Sequence, residues 1–259
     1  MQTRAGAEQI KPKNRRITLL DELRGLAVIL MLIYHVLYDL TYFFRLPIPL
    51  NAPYVAAFQF FSGSLFILVA GMSCVYSKRN ARRGGIYLLI AIGITVVTYF
   101  IKMPILFGII HFIAVCKLLY AVIGRIVERG SGWAGLIIFG ALFIGFAAYY
   151  YSQMNRVLNI PFPPLPKSFY KQNVLLFLIG NGSYGSADYY PIFPWVFVFL
   201  TGAYAGKIIR DKNADGHLYS GGKFRALAFA GRHSLSIYAL HQPIILLILF
   251  VIFQIRVFI

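Results

Sequence analysis

Leu20-Asp21-Glu22-Leu23-Arg24-Gly25 opens an apolar run that closes with Tyr34-His35-Val36-Leu37-Tyr38-Asp39. The stretch is long and apolar enough to cross a bilayer as a helix, yet it carries an arginine, a histidine and carboxylates, which are expensive in hydrocarbon. A helix turns about 100° per residue, so Arg24 and His35 fall about 20° apart, with Asp21 and Asp39 within about 60° of Arg24. Ile29, Leu30, Ile33, Leu37 and Leu40 cover the opposite side. A lipid-facing helix has no use for such a stripe. A helix lining a polar cavity does.

The rest of the chain extends this reading. Its 259 residues are 59% hydrophobic and 13% charged. Several apolar stretches are of spanning length, which predicts an all-α, polytopic helical membrane protein. Hydropathy places seven transmembrane helices, at about 17–43, 55–77, 86–101, 105–127, 133–151, 191–209 and 234–255. Residues 1–16 form a basic N-terminal tail and 17–259 one transmembrane domain, since no polar stretch could fold as a separate soluble unit. Lysine and arginine number 25 against 8 acidic residues. With the N-terminus in the cytoplasm, basic residues favour the inner segments roughly threefold, which predicts an N-in, C-out topology. That bias accounts for the charge without nucleic acid; the expected partner is the lipid bilayer. The polar first ten residues show no cleavable signal peptide. Cys74 and Cys116 sit in apolar stretches without metal-ligand spacing, so no metal is expected.

Two loops interrupt the rhythm. The outer segment 153–190 is long and turn-rich, with Pro161-Phe-Pro-Pro-Leu-Pro166 and the apolar piece Asn173–Ile179, too short to span and better read as an interfacial or re-entrant helix. The inner loop Asp211–Gly222 is polar and glycine-bearing.

At about 1.5 Å per residue, His35 lies about 16 Å further into the membrane than Arg24, near the midplane. Asp39, one turn on, is within reach to orient the imidazole as in a base–orienter pair. His111 and Lys117 share the fourth span about 120° apart, and Lys117 at that depth wants a carboxylate, with Asp21, Asp39 and Glu128 the candidates. The last span opens with Gly231-Arg232-His233-Ser234. Ser234 as N-cap would aim backbone N–H groups at the cytoplasm beside Arg232, chemistry suited to a phosphate but equally to ordinary capping. Pro243, just after His241-Gln242, frees the carbonyl of Ala239 and predicts a polar pocket at that break. The Lys78–Arg83 run, with Arg82 and Arg83, anchors topology and suits anions. On the outer side, Asp188 and the aromatic Tyr189-Tyr190 and Trp195 suit a sugar or amine.

Several of these motifs fall in an order that resembles a known family. Leu20-Asp21-x-Leu23-Arg24-Gly25-x-Ala27 with His35 resembles the first helix of membrane acyltransferases that decorate extracytoplasmic glycans. The closer similarity is to bacterial proteins related to the catalytic domain of heparan-α-glucosaminide N-acetyltransferase. It is carried by His35-Val-Leu-Tyr38-Asp39, Phe66-x-x-x-Ala70-Gly71-x-Ser73, Gly108-Ile-x-His111, Asp188-Tyr-x-Pro-x-x-Pro194-Trp195 and Gly231-Arg-His-Ser-Leu-x-Ile-Tyr238-x-x-His241-Gln-Pro243. The resemblance implies an acyl-CoA donor on the cytoplasmic side and an acceptor outside. In the lysosomal relative the catalytic histidine belongs to the approach to the second span. Residues 51–63 contain no histidine here, and His35 takes that place as candidate.

The expectation is a transmembrane acyltransferase of a bacterial inner membrane, using acetyl-CoA or another acyl-CoA as donor. His35 and Asp39 are the catalytic candidates. Arg24, Arg82, Arg83, Arg232, Ser234 and His241 are the donor-binding candidates, and His111, Asp188 and Trp195 hold a sugar or amine acceptor. Loss of activity as pH falls through the imidazole titration is expected. A polar, charge-lined path along the first span would join the two compartments. A small-solute or proton-coupled transporter and a structural membrane protein are the alternative classes, and a homodimer is among the open oligomeric states.

Overall fold

The computed structural model describes residues 17–155, 173–180, 184, 186, 188–212 and 223–257. The tail 1–16, much of the outer loop and residues 213–222 lie outside the described residues. Nine helices occur among the described residues: α1 (Thr18–Tyr42), α2 (Pro53–Val75), α3 (Asn80–Phe100), α4 (Ile109–Arg129), α5 (Gly132–Asn155), α6 (Val174–Ile179), α7 (Ile192–Lys212), α8 (Arg225–Arg232) and α9 (Ser234–Val257). Seven are long and apolar enough to cross a membrane, all but α6 and α8. The all-helical, seven-span architecture is therefore as expected, with shifted boundaries.

The third span begins at Asn80 rather than near 86. The Asn80 amide donates to the carbonyls of Cys74 and Ser77, both at 2.8 Å, so the start of α3 is tied to the end of α2 and the helix takes in Arg82 and Arg83. The fourth begins at Ile109 because residues 103–108 run as a loop, where Phe107 pairs with Tyr189 and accepts the Tyr190 N–H at 2.9 Å. The apolar piece after Asn173 is a helix, as anticipated. The Asn173 side chain caps it by accepting the N–H groups of Leu175 and Leu176 (2.8 and 3.3 Å). Phe177 turns inward onto Tyr189, ring centroids 4.7 Å apart, while Val174 and Leu175 stay exposed.

α2, α4 and α7 form the buried centre, and the main cluster joins Phe66, Ile67, Phe112, Ile113, Cys116, Val198 and Phe199. α1 flanks α2, α3 covers α4, α5 covers α7, and α9 leans on α1. The wheel of α1 holds: Asp21, Ala27, Val28 and Asp39 face inward, Ile29 and Ile33 outward.

Close helix contact rests on glycine. A Cβ on Gly71 would strike the Phe199 carbonyl, and one on Gly202 the Leu68 carbonyl, so α2 and α7 touch backbone to backbone. α8, a helix that hydropathy does not predict, docks on α1 in the same way. Gly25 lies against the Leu227 carbonyl and Gly231 against the Asp21 carbonyl. Glu22, buried on α1, accepts the Phe224 N–H at 2.7 Å and so places a carboxylate at the positive end of α8. Phe224 and Phe229 remain exposed on the far side of this short helix.

Gly231→Ala should therefore destabilise the protein in detergent by about 2 kcal/mol, because two backbones would have to part. Gly93→Ala, where a Cβ meets open space inside α3, should stabilise by up to about 1 kcal/mol. Thermal unfolding of both variants checks the opposite signs.

Candidate functional site

Polar side chains gather at four places along the bundle. At one end of α1, Arg24 Nη1 pairs with Asp21 Oδ1 at 2.7 Å, and Nη2 donates to Ser73 Oγ on α2 at 2.6 Å. Nη1 also lies 3.5 Å from the Gly231 carbonyl at the end of α8. The guanidinium thus ties three helices. Beside it, a cavity of about 190 Å³ is lined by Thr18, Glu22, Arg225, Ala228 and Arg232. Arg82, Arg83 and Arg232 are exposed. Ser234 is buried as the first residue of α9; the helix N-cap is His233, whose carbonyl accepts the Ile237 N–H at 2.9 Å, one residue earlier than expected.

Farther along α1 lies the second cluster, shared with α9. Asp39 is fully buried, and its Oδ1 accepts from Gln242 Nε2 at 2.6 Å. The rings of His35 and His241 meet edge-on with centroids 4.5 Å apart. Among the described residues no hydrogen bond or ion pair links Asp39 to His35. The expected base–orienter pair is replaced: Gln242, reaching across from α9, takes the carboxylate that i,i+4 spacing had offered to the imidazole. The polar stripe is also interrupted. Val28, fully buried, and Met31, packed on the core, occupy the same face between Arg24 and His35. Arg24 and His35 anchor two separate polar clusters.

His241 Nδ1 lies 2.5 Å from the Tyr238 carbonyl oxygen. A carbonyl only accepts, so Nδ1 carries the hydrogen and Nε2 the lone pair in the neutral ring. Three buried atoms of this cluster have no hydrogen-bond partner among the described residues: Asp39 Oδ2, Gln242 Oε1 and His241 Nε2. Each such orphan costs about 1–3 kcal/mol unless a donor satisfies it, so the cluster has capacity to accept hydrogens. α9 continues as helix through Pro243, and the two polar residues before that proline, His241 and Gln242, belong to this cluster.

The third group hangs on Asp188, in the segment before α7. Its Oδ2 accepts the Ile109 N–H and the Tyr238 hydroxyl, each at 3.0 Å. Desolvation pushes this carboxyl above the usual carboxylate range, and the two donors hold it back. Asp188 therefore fastens the start of α4 to α9. Trp195 packs among Phe60, Phe143 and Tyr190, with centroids 5.3, 6.0 and 4.8 Å away, as a core ring. His111 turns to α3: its Nε2 meets Thr95 Oγ1 at 3.0 Å. The Thr95 hydroxyl already donates to the Ile105 carbonyl at 2.5 Å, so His111 Nε2 is the donor. The three residues anticipated for an acceptor thus lie in three different settings.

The fourth group is basic. Lys117, buried in α4, has no carboxylate beside it among the described residues. Its ammonium lies 3.7 Å from Cys74 Sγ and 5.3 Å from the Tyr87 ring centroid. The expected candidates are engaged elsewhere, Asp21 with Arg24, Asp39 with Gln242 and Glu128 with Arg210. Sequence reasoning also missed Lys207, whose ammonium donates to the carbonyls of Val127 (3.2 Å), Glu128 (2.6 Å) and Gly130 at the end of α4. Tyr238, Gln242 and Ser73 stand inside motifs already singled out; spacing was a signal only for Tyr238, three residues before His241, since Gln242 and Ser73 lie 203 and 49 residues from Asp39 and Arg24. No group of three or more histidine, cysteine, aspartate or glutamate side chains placed to hold a metal occurs among the described residues.

No curated protein and no solved structure matches this chain. The family model described as heparan-alpha-glucosaminide N-acetyltransferase, catalytic, matches residues 16–243, a stretch that reaches from the start of α1 to the proline just beyond the histidine pair. It takes in all four polar groups and most of the helical bundle that holds them. The chain therefore belongs to the heparan-alpha-glucosaminide N-acetyltransferase catalytic-domain family of membrane acetyltransferases.

Proposed function

We propose that the protein moves an acetyl group from cytoplasmic acetyl-CoA, or a related acyl-CoA, to a sugar, glycan or amine acceptor on the outer side of a bacterial inner membrane. The observation that carries this reading is the cluster of His35, Asp39, His241 and Gln242 between two membrane-spanning helices, in which three buried acceptor atoms have no partner among the described residues. Acetyl transfer needs a group that moves a proton as the acceptor attacks the thioester carbonyl, and imidazole does this near neutral pH. His35, partly exposed on α1, meets the reacting carbonyl in this scheme. The new C–N or C–O bond forms as the C–S bond breaks, and the acceptor's proton ends on the CoA sulfur.

The N-terminus lies in the cytoplasm in this reading, supported by the basic bias of the inner segments. The nucleotide part of the donor then sits at the inner mouth, where Arg232 lines the cavity under α8 and Arg82 and Arg83, at the start of α3, add exposed cations. Arg24, engaged by Asp21 and Ser73, shapes that mouth as well as adding charge. Asp188 and Trp195 act on the outer side by holding the helices around the acceptor's entry.

His35→Ala should lower acetyl transfer by about a hundredfold to ten-thousandfold, while acetyl-CoA still raises the unfolding temperature of the variant. Transfer at the parent rate would remove His35 from the mechanism. Replacing Arg82, Arg83 and Arg232 together by alanine should weaken acetyl-CoA binding by about tenfold or more. The loss should shrink as salt screens the parent's own contacts. Calorimetry in detergent reads both, and an unchanged affinity would move the donor away from this mouth.

A further inference from the structure

Two imidazoles meet in the cluster, and their hydrogen-bonding states differ. His241 has its only ring hydrogen, in the neutral form, committed to the Tyr238 carbonyl. Its Nε2 lone pair is buried and has no partner among the described residues. Tyr238 is itself held, because its hydroxyl donates to Asp188, which also accepts the Ile109 N–H. The ring of His241 is thus fixed in one tautomer by a chain of contacts reaching α4. His35 makes no hydrogen bond among the described residues, so none of them fixes its tautomer.

Resting on the acetyltransferase reading above, we propose that Nε2 of His241 is the nitrogen that takes the proton from the acceptor's amine or hydroxyl. A neutral ring whose hydrogen is engaged can act at its other nitrogen only as a base. Asp39 Oδ2 and Gln242 Oε1, the two other unsatisfied acceptors, hold the remaining hydrogens of the same acceptor group. As the acceptor's nitrogen or oxygen bonds to the thioester carbon, the C–S bond breaks. The proton passes to His241 and from there to the departing thiolate. Two imidazolium rings with centroids at 4.5 Å would repel, so the pair carries at most one added proton at a time during transfer. His241 thereby leaves the donor-binding role expected from the sequence and joins the catalytic residues.

The test separates the two nitrogens. His241→Asn keeps an N–H where Nδ1 stands, able to donate to the Tyr238 carbonyl, and removes the basic Nε2. Its kcat for transfer from acetyl-CoA to amino sugars and alcohols should fall at least about a hundredfold, with KM for acetyl-CoA within about threefold of the parent. His241→Gln should behave alike, and acetyl-CoA should still raise the unfolding temperature of both. A kcat within about fivefold of the parent, or a raised KM for acetyl-CoA at unchanged kcat, would overturn the assignment. Loss of acetyl-CoA-dependent stabilisation in both variants would make His241 a structural residue and overturn it too. A parent protein that transfers no acetyl group at all would defeat the acetyltransferase reading itself. An active parent with an active His241→Asn variant defeats only this inference.

Discussion

Spans in a bilayer gain little by hiding from one another's solvent, since lipid tails are as apolar as leucine; contact has to come from close packing and from partners for buried polar atoms. In this protein the two requirements are met at the same places. Gly25 and Gly231 bring α1 and α8 into backbone contact, and that approach puts the Gly231 carbonyl within reach of the Arg24 guanidinium. Gly71 and Gly202 do the same for α2 and α7, and two residues beyond Gly71 stands Ser73, the hydroxyl that receives Arg24. A methyl group at any of these glycines would separate the helices and strand the polar groups together.

Carboxylates are scarce in a chain with 8 acidic residues against 25 basic ones, and their use is uneven. Asp21 and Glu128 pair with arginines. Asp39, Asp188 and Glu22 instead accept from neutral donors: an amide, a tyrosine hydroxyl and backbone N–H groups. Among the described residues the buried lysines make do without carboxylates. Lys207 collects the terminal carbonyls of α4, where the helix dipole is negative, and Lys117 lies against a thiol and an aromatic face. Among the described residues no cation is bound to the carboxylate of the histidine cluster, and Asp39 Oδ2, Gln242 Oε1 and His241 Nε2 keep no partner there.

The α9 helix connects this cluster to the rest of the bundle. Tyr238 offers its hydroxyl to Asp188 and its carbonyl to His241, so one residue links the start of α4, the segment before α7 and the histidine pair. In the proposed proton transfer an anchor of this kind matters, because a ring able to swap tautomers or rotate would present a basic nitrogen only part of the time.

Period and composition alone determined that α1 crosses the membrane with Asp21, Arg24, His35 and Asp39 turned inward, since a 3.6-residue repeat and the cost of charge in hydrocarbon are local properties of the chain. They also determined the seven spans and placed His241 and Gln242 beside a proline within the last one. Which helix answers each polar group was decided only in three dimensions. Spacing along α1 paired Asp39 with His35, whereas the carboxylate found Gln242 from a helix some two hundred residues away in sequence. α8 escaped notice because eight residues carry too short a pattern to separate a docked helix from a basic loop; its helical state depends on Glu22 at one end and Gly25 beneath the other. A sequence states which groups must find partners in lipid, and only packing settles which partners are within 3 Å.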